Sequence, residues 1–92
     1  MAHFTMSLTI HEFERQLQPL LTGWCVEQQA QEWRLERPER SVDISCRLLP
    51  ALRLGALQLP RLVVSIAFTG GNADQEADFI DDFLRYFQRG GG

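Results

Sequence analysis

The chain has 92 residues, of which 45% are hydrophobic and 23% are charged, and its formal net charge is −3. These values are typical of one globular domain and argue against intrinsic disorder. The net negative charge argues against non-specific binding to nucleic acid or to an anionic membrane.

All nine basic residues are arginine. We expect a GC-rich, bacterial coding bias to account for this, although a need for forked, bidentate donors is an alternative. The absence of lysine excludes Schiff-base and lysine general-base mechanisms. Residues 1–5 have neither the basic nor the apolar region of a signal peptide, and the two cysteines form no C-x-x-C pair. We therefore expect a cytoplasmic protein with free thiols.

The first elements predicted along the chain are a strand and a helix. Apolar residues alternate with polar ones over residues 4–10, which is a weak strand pattern. Thr9 and Glu12 have the spacing of a capping box, and the apolar residues that follow predict a helix over residues 10–22. Pro19 removes a backbone donor inside this helix, so we expect a kink or a restarted turn there.

A set of short strands is predicted next. In residues 24–26 and 33–35, the first and last side chains are apolar and point to the same face of the predicted sheet. A turn is predicted between the two strands at residues 28–31. Residues 42–48 alternate cleanly between apolar and polar side chains, as in a half-buried strand. Residues 62–68 show the strongest strand pattern of the chain.

The stretch 49–61 is the least regular part of the sequence. Its leucines change phase at Gly55 and Ala56, where we expect a bulge or a bend. Pro50 and Pro60 bracket the stretch. Because proline cannot donate to a sheet, this predicts an edge strand or an extended loop rather than a central strand.

The last element is an amphipathic helix. Asn72 can cap its start, with Gln75 three residues later, and Gly90 is expected to end it. Acidic residues are concentrated at its first turns, where they interact favourably with the helix dipole. Its apolar stripe consists of Ala73, Ala77, Ile80, Leu84 and Phe87.

These elements predict an α+β fold, a two-layer sandwich in which an antiparallel sheet of three to five strands carries the N-terminal and C-terminal helices on one face. Residues 1–89 would form this single domain. Residues 90–92 would form a flexible glycine tail.

The potential metal ligands and nucleophiles are dispersed. His3, His11, Cys25 and Cys46 have no closely spaced pair, although structural zinc sites usually need one. Nothing near Cys25 resembles a nucleophile elbow or an oxyanion loop. We therefore expect no metal, no cofactor and no enzymatic activity.

An excess of apolar side chains is the best indication of function. Two helices over one sheet face cannot easily cover all of them, and large exposed apolar patches usually mark interaction sites. A leucine-rich loop that simply closes a compact core is the alternative. The predicted partner surface consists of Leu52, Leu54, Leu57, Leu59, Phe79, Phe83 and Tyr86. We therefore expect a non-enzymatic protein-interaction or accessory domain, with a homodimer through residues 52–59 or through the aromatic side of the last helix.

The arginines between residues 34 and 61 suggest a second, weaker possibility. This segment has six arginines against three acidic residues. A basic outer sheet face of this kind could bind nucleic acid, although both tryptophans are phased towards the interior, where they cannot stack on bases. The candidate anion-binding residues are Arg34, Arg47, Arg53 and Arg61.

The C-terminal residues Arg89-Gly90-Gly91-Gly92 resemble the Gly-Gly end of ubiquitin and of the bacterial sulfur carriers. That resemblance, which covers only these residues, implies a carrier whose terminal carboxylate is adenylated by an activating enzyme. In those families the tail follows a strand of a β-grasp fold, whereas here it follows a predicted helix. A helix cap followed by a disordered terminus accounts for the same residues.

Overall fold

The computed structural model describes the backbone of residues 1–91 and the side chains of residues 1–87. It confirms the predicted α+β fold: two helices accompany one antiparallel sheet of five strands in the order β1-β5-β4-β3-β2. The strands are β1 (Ala2–Met6), β2 (Cys25–Gln29), β3 (Glu32–Arg37), β4 (Arg40–Leu54) and β5 (Leu57–Gly70), and the helices are α1 (Ile10–Leu17) and α2 (Ala73–Gly91).

Strand β1 lies at one edge of the sheet, although it is the first element of the chain. It pairs antiparallel with β5, so that Phe4 lies opposite Val64. Its alternating burial agrees with the weak strand pattern of the sequence. The pattern continues to residue 10, whereas the strand ends at Met6. The exposed His3 adds a side-chain hydrogen bond from its Nδ1 position to Ser65 Oγ, at 2.9 Å.

Helix α1 begins at the predicted capping box. The backbone N–H of Glu12 donates to Thr9 Oγ1 at 3.2 Å, and the backbone N–H of Thr9 donates to Glu12 Oε1 at 2.9 Å. The α-helix ends at Leu17, and a 3₁₀ turn (Gln18–Leu21) follows with Pro19 in its first positions. Proline is tolerated there because the first amides of a helix need no internal acceptor. The restarted turn expected at Pro19 is therefore confirmed.

The sequence predicts an edge strand or a loop for the stretch 49–61, and the structure confirms the edge position but not the single strand: both strands of the stretch have a free edge, because each pairs only with the other. The stretch is the outer part of a long hairpin between the two central strands of the sheet, β4 and β5. Gly55 and Ala56 form its two-residue turn, with φ = +61° at Gly55. Glycine with positive φ at the first turn position matches a type II′ turn. The irregularity in register lies instead between Leu49 and Leu52.

The hydrophobic core lies between the helices and the inward face of β3, β4 and β5. Three aromatic rings join the two helices: Phe13 stacks on Phe87 at 4.9 Å between centroids, and Phe83 lies 4.6 Å from Phe87. The fully buried side chains include Trp33, Leu35, Val42, Ile44, Leu62, Val64 and Ile66. The even-numbered apolar side chains of residues 42–48 and 62–68 thus face the core as predicted, except that Leu48 is 57% exposed.

The buried line of α2 differs from the predicted stripe. Phe79, Phe83 and Phe87 are the buried residues, Ile80 and Leu84 pack beside them, and the alanines at positions 73 and 77 are exposed. The helix is rotated in this way because three rings bury far more apolar area than two methyl groups. The helix also continues to Gly91, past the end predicted at Gly90. Gly92 lies outside the described residues, and the flexible tail stays a prediction.

Candidate interaction surface

The β4–β5 hairpin extends beyond the rest of the sheet. Strand β1 pairs with β5 only as far as Leu62, and β3 pairs with β4 only between Arg40 and Ser45. Residues 49–61, here called the arm, therefore form a two-stranded ribbon that no third strand within residues 1–91 flanks. The arm helps to give the molecule its elongated shape of 49 × 26 × 21 Å.

The four leucines of the arm that the sequence predicted as a partner surface all lie on one side of this ribbon. Leu52 pairs with Leu59, and Leu54 pairs with Leu57. Directly paired residues of an antiparallel ribbon point to the same side, and so do residues two apart along one strand. We call this set the leucine face. Leu52, Leu54 and Leu57 are 43%, 54% and 63% exposed, so the structure leaves most of the face in contact with water.

The leucine face continues the side of the sheet that points away from the helices. Along β5 the buried residues are Leu62 and Val64, whereas Leu57, Leu59 and Arg61 occupy the opposite phase. Neither helix can therefore cover the leucine face of its own chain.

The other side of the arm is polar at its centre. Arg53 lies opposite Gln58 in the register. With its amide oriented to accept, the Gln58 side-chain oxygen receives hydrogen bonds from Arg53 Nε at 3.1 Å and from Arg53 Nη2 at 3.2 Å. The arm is therefore amphipathic across its thickness, with leucines on one side and this pair on the other.

The aromatic part of the predicted partner surface is wrong for two of its three residues. Phe79 and Phe83 are 6% and 0% exposed and belong to the core, so neither offers a free surface. Phe83 contacts Phe4 of β1 at 5.3 Å between ring centroids. Only Tyr86, at 42% exposure, stays on the surface.

The four candidate anion-binding arginines do not form one patch. Arg34 faces Asp43 across the strands, with Nη1 3.4 Å from Oδ1, and its Nε lies 3.9 Å from Glu36 Oε2. Arg53 lies on the opposite side of the ribbon from Arg61. Arg47, which pairs with Val63, shares the outward face of the sheet with Arg34 and Arg61, so the geometry separates only Arg53 from the other three arginines.

A mixed-charge cleft that the sequence did not predict lies near the other end of the sheet. The Arg37 and Arg40 guanidinium carbons lie 4.1 Å and 5.1 Å from the Trp24 ring centroid. Asp78 and Asp82 of α2 line the same cleft of about 220 Å³. The only sequence signal was the position of the two arginines on either side of the Pro38–Glu39 turn, which makes them direct cross-strand neighbours.

The two cysteines lie in different environments. Cys25 is exposed, whereas Cys46 is 8% exposed in the core. Burial, with the nearby negative charge of Glu14, raises the pKa of the Cys46 thiol to about 12, so it stays protonated at neutral pH. Within the described residues, no group of three histidine, cysteine or acidic side chains could hold a metal ion.

The helices of the described part of the chain include none with the length and apolar composition needed to cross a membrane. A scan against models of known protein families finds no match to the chain, and a search of curated proteins finds none either.

Proposed function

We propose that this chain is a non-enzymatic protein-interaction domain whose partner surface is the leucine face of the arm, and that the partner is a second copy of the chain. The observation that carries this proposal is the gathering of four leucines on one exposed side of a two-stranded ribbon. An isolated two-stranded hairpin is at best marginally stable in water. A partner that covers the leucine face removes apolar surface from water and adds a second layer to the ribbon.

The charge distribution favours a second copy over an unrelated partner. The sequence has no acidic residue between Asp43 and Asp74, so the arm carries only positive charge. The first half of α2 is strongly acidic. One chain therefore offers both a basic apolar surface and an acidic one, as a self-complementary contact requires.

The test compares two neighbouring substitutions that introduce the same charge on opposite sides of the arm. Leu57→Glu places a carboxylate on the leucine face, and Gln58→Glu places one on the other side. Sedimentation equilibrium measures the dissociation constant of each dimer.

We expect the wild-type chain and Gln58→Glu to dimerise alike. Burial of the exposed part of Leu57 contributes about 1 to 2 kcal/mol, and a buried carboxylate costs several more. Leu57→Glu should therefore weaken the dimer at least about a hundredfold. A wild-type chain that stays monomeric at high micromolar concentration would refute the proposal, as would equal effects of the two substitutions.

A further inference from the structure

The outward face of the sheet carries the leucine face at one end and a shallow hollow at the other. The cross-strand register places Glu32 beside Ser45 and Ser65 on this side, and Asp43 beside Ala67. These five residues help to line the hollow, which has a volume of about 390 Å³ and small side chains at its centre. Because the helices of the described residues pack on the other side of the sheet, the hollow is open to water.

The charges of the outward face are separated along the strands. The two arginines nearest the leucines are Arg47 and Arg61, and neither makes a salt bridge among the described side chains. The hollow end has four acidic residues against one arginine: Glu27, Glu32, Glu36, Asp43 and Arg34. A closed two-fold contact brings the same side of both molecules together, so these residues, and not those of α2, can meet the leucine face. One face therefore has a basic, apolar end and an acidic end.

A two-fold axis that lies between two sheets, perpendicular to their strands, brings two such faces together with the strands reversed. The 14 residues of β5 span about 46 Å. An axis near the middle of β5, between Val63 and Ser65, lays the arm of each copy over the acidic end of the other. The leucine face then covers Ser41, Thr69 and Gly70, whose small side chains leave room for it.

The register shows which charges this axis brings together. Arg47 is one residue pair from the axis, and Glu32, on the other side of the axis, is also one pair away. Arg61 and Asp43 are both one pair further out. Each arginine of one copy therefore faces an acidic residue of the other across sheets about 10 Å apart, a gap that two long side chains can span.

The other ways of covering the leucine face with a second copy match the charges less well. Packing with parallel strands, or a contact between the two arms alone, would join basic surfaces to each other. Pairing of two arms edge to edge would extend the ribbon sideways and would leave the leucine face in water.

We infer that the dimer is a sandwich of two sheets packed through their outward faces with reversed strands, in which Arg47 and Arg61 of each copy face the acidic residues of the hollow in the other. This inference rests on the proposed function and adds the surface that receives the arm. Both contacts are equivalent under the two-fold axis, so the assembly closes as a dimer.

Two double charge reversals test this arrangement. The arm-side variant carries Arg47→Glu and Arg61→Glu, and the hollow variant carries Glu32→Arg and Asp43→Arg. Each variant alone places like charges at both contacts, so we expect its dimer to weaken at least about a hundredfold. In an equimolar mixture every contact joins opposite charges again. We expect a 1:1 heterodimer, detected by native mass spectrometry, with an affinity within about tenfold of the wild-type dimer.

The matched control is Arg53→Glu with Arg85→Glu, which changes the net charge as the arm-side variant does but lies off the outward face. It should dimerise like the wild-type chain, and circular dichroism verifies that every variant is folded. The hollow variant also removes the Asp43 partner of Arg34, so a second measurement locates the contact without it. In a Cys25→Ser chain, Ser65→Cys lies next to the axis, and a short bismaleimide should join two copies through it. Gln58→Cys, on the other side of the arm, should stay uncross-linked.

The outcomes separate this inference from the proposed function. If Leu57→Glu is monomeric while the arm-side variant dimerises like the wild-type chain, or while Ser65→Cys gives no cross-link, the outward-face assignment is wrong and the proposed function stands. Two folded reversed variants that fail to form a heterodimer would also exclude the assignment. A monomeric wild-type chain would overturn both proposals.

Discussion

Truncation of Phe83 tests whether the aromatic side of α2 belongs to the core or to a partner surface. Phe83 is 0% exposed, and its ring contacts Phe4, Phe13 and Phe87 at centroid distances of 5.3, 6.5 and 4.6 Å. Phe83→Ala would remove the ring that joins α2 to both β1 and α1. Tyr86, one turn further along the same helix and 42% exposed, provides the matched control.

The expected loss is large in relation to the total stability. Removal of a buried phenylalanine side chain costs about 3 to 5 kcal/mol, because transfer free energy is lost and a cavity is left. A domain of 92 residues has a total unfolding free energy of roughly 5 to 14 kcal/mol. Phe83→Ala should therefore lower the melting temperature by more than about 12 °C or prevent folding. Phe83→Leu keeps most of the volume and should cost on the order of 1 kcal/mol.

Urea denaturation followed by circular dichroism measures these differences. We expect Tyr86→Ala to stay within about 1 kcal/mol of the wild-type chain, since the side chain is partly in water already. Every variant is measured at the same protein concentration, because self-association of the folded chain would add to its apparent stability. If Phe83→Ala unfolds at the same urea concentration as Tyr86→Ala, the ring is not in the core and the assignment of the buried face is wrong.

Three further predictions concern single positions. Ala30 has φ = +54° in the β2–β3 turn, so Ala30→Gly should raise the free energy of unfolding by about 0.5 to 1 kcal/mol in urea titrations, and a decrease would contradict the strain. Ellman's reagent should modify Cys25 rapidly and Cys46 only after unfolding; two fast thiols would show that the core is open. Hydrogen bonds from Thr9 hold the pKa of Glu12 below its ordinary value of 4.5, so the cap stabilises the fold above pH 4.5 and this contribution is lost as the pH falls through the lower, folded-state pKa. Thr9→Ala should therefore destabilise the chain at pH 7 more than at pH 3, and an equal effect at both values would exclude the capping box as the cause.

The β4–β5 hairpin shows why the leucine pattern of residues 49–61 did not by itself predict how this stretch pairs. The leucines at positions 52 and 54 are even and those at 57 and 59 are odd, and this change of phase predicts a bulge or a bend at Gly55 and Ala56. A two-residue turn produces the same signal, because the numbers of the residues paired next to such a turn add to an odd value: Leu52 faces Leu59 and Leu54 faces Leu57, so even residues face odd ones as far as the register irregularity. Pro50 and Pro60 favour an edge position, and both lie in the register irregularity of the arm, where a missing donor breaks no ladder.

The structure tests whether the residues of the candidate partner surface are exposed, and the answer differs between the arm and the last helix. Leu52, Leu54 and Leu57 are exposed and Leu59 is half-buried, whereas Phe79 and Phe83 are buried. The apolar arc of α2 is wider than the face that one neighbouring layer can cover. Periodicity therefore could not show which side of the arc would meet the sheet, and the contact of its rings with Phe13 decided it.

By itself, the sequence determined the features that depend on residues close together in the chain: the Thr9–Glu12 capping box, the turn at Pro19, the alternating strands and the start of α2. Each depends on hydrogen bonds or on side-chain spacing within a few residues, and a single sequence records these directly. The tertiary structure decided the place of β1 beside β5, the buried side of α2 and the extension of the β4–β5 hairpin beyond its neighbours. These depend on burial shared between segments up to about 60 residues apart, and the free energy of such contacts is defined only once all the layers are assembled.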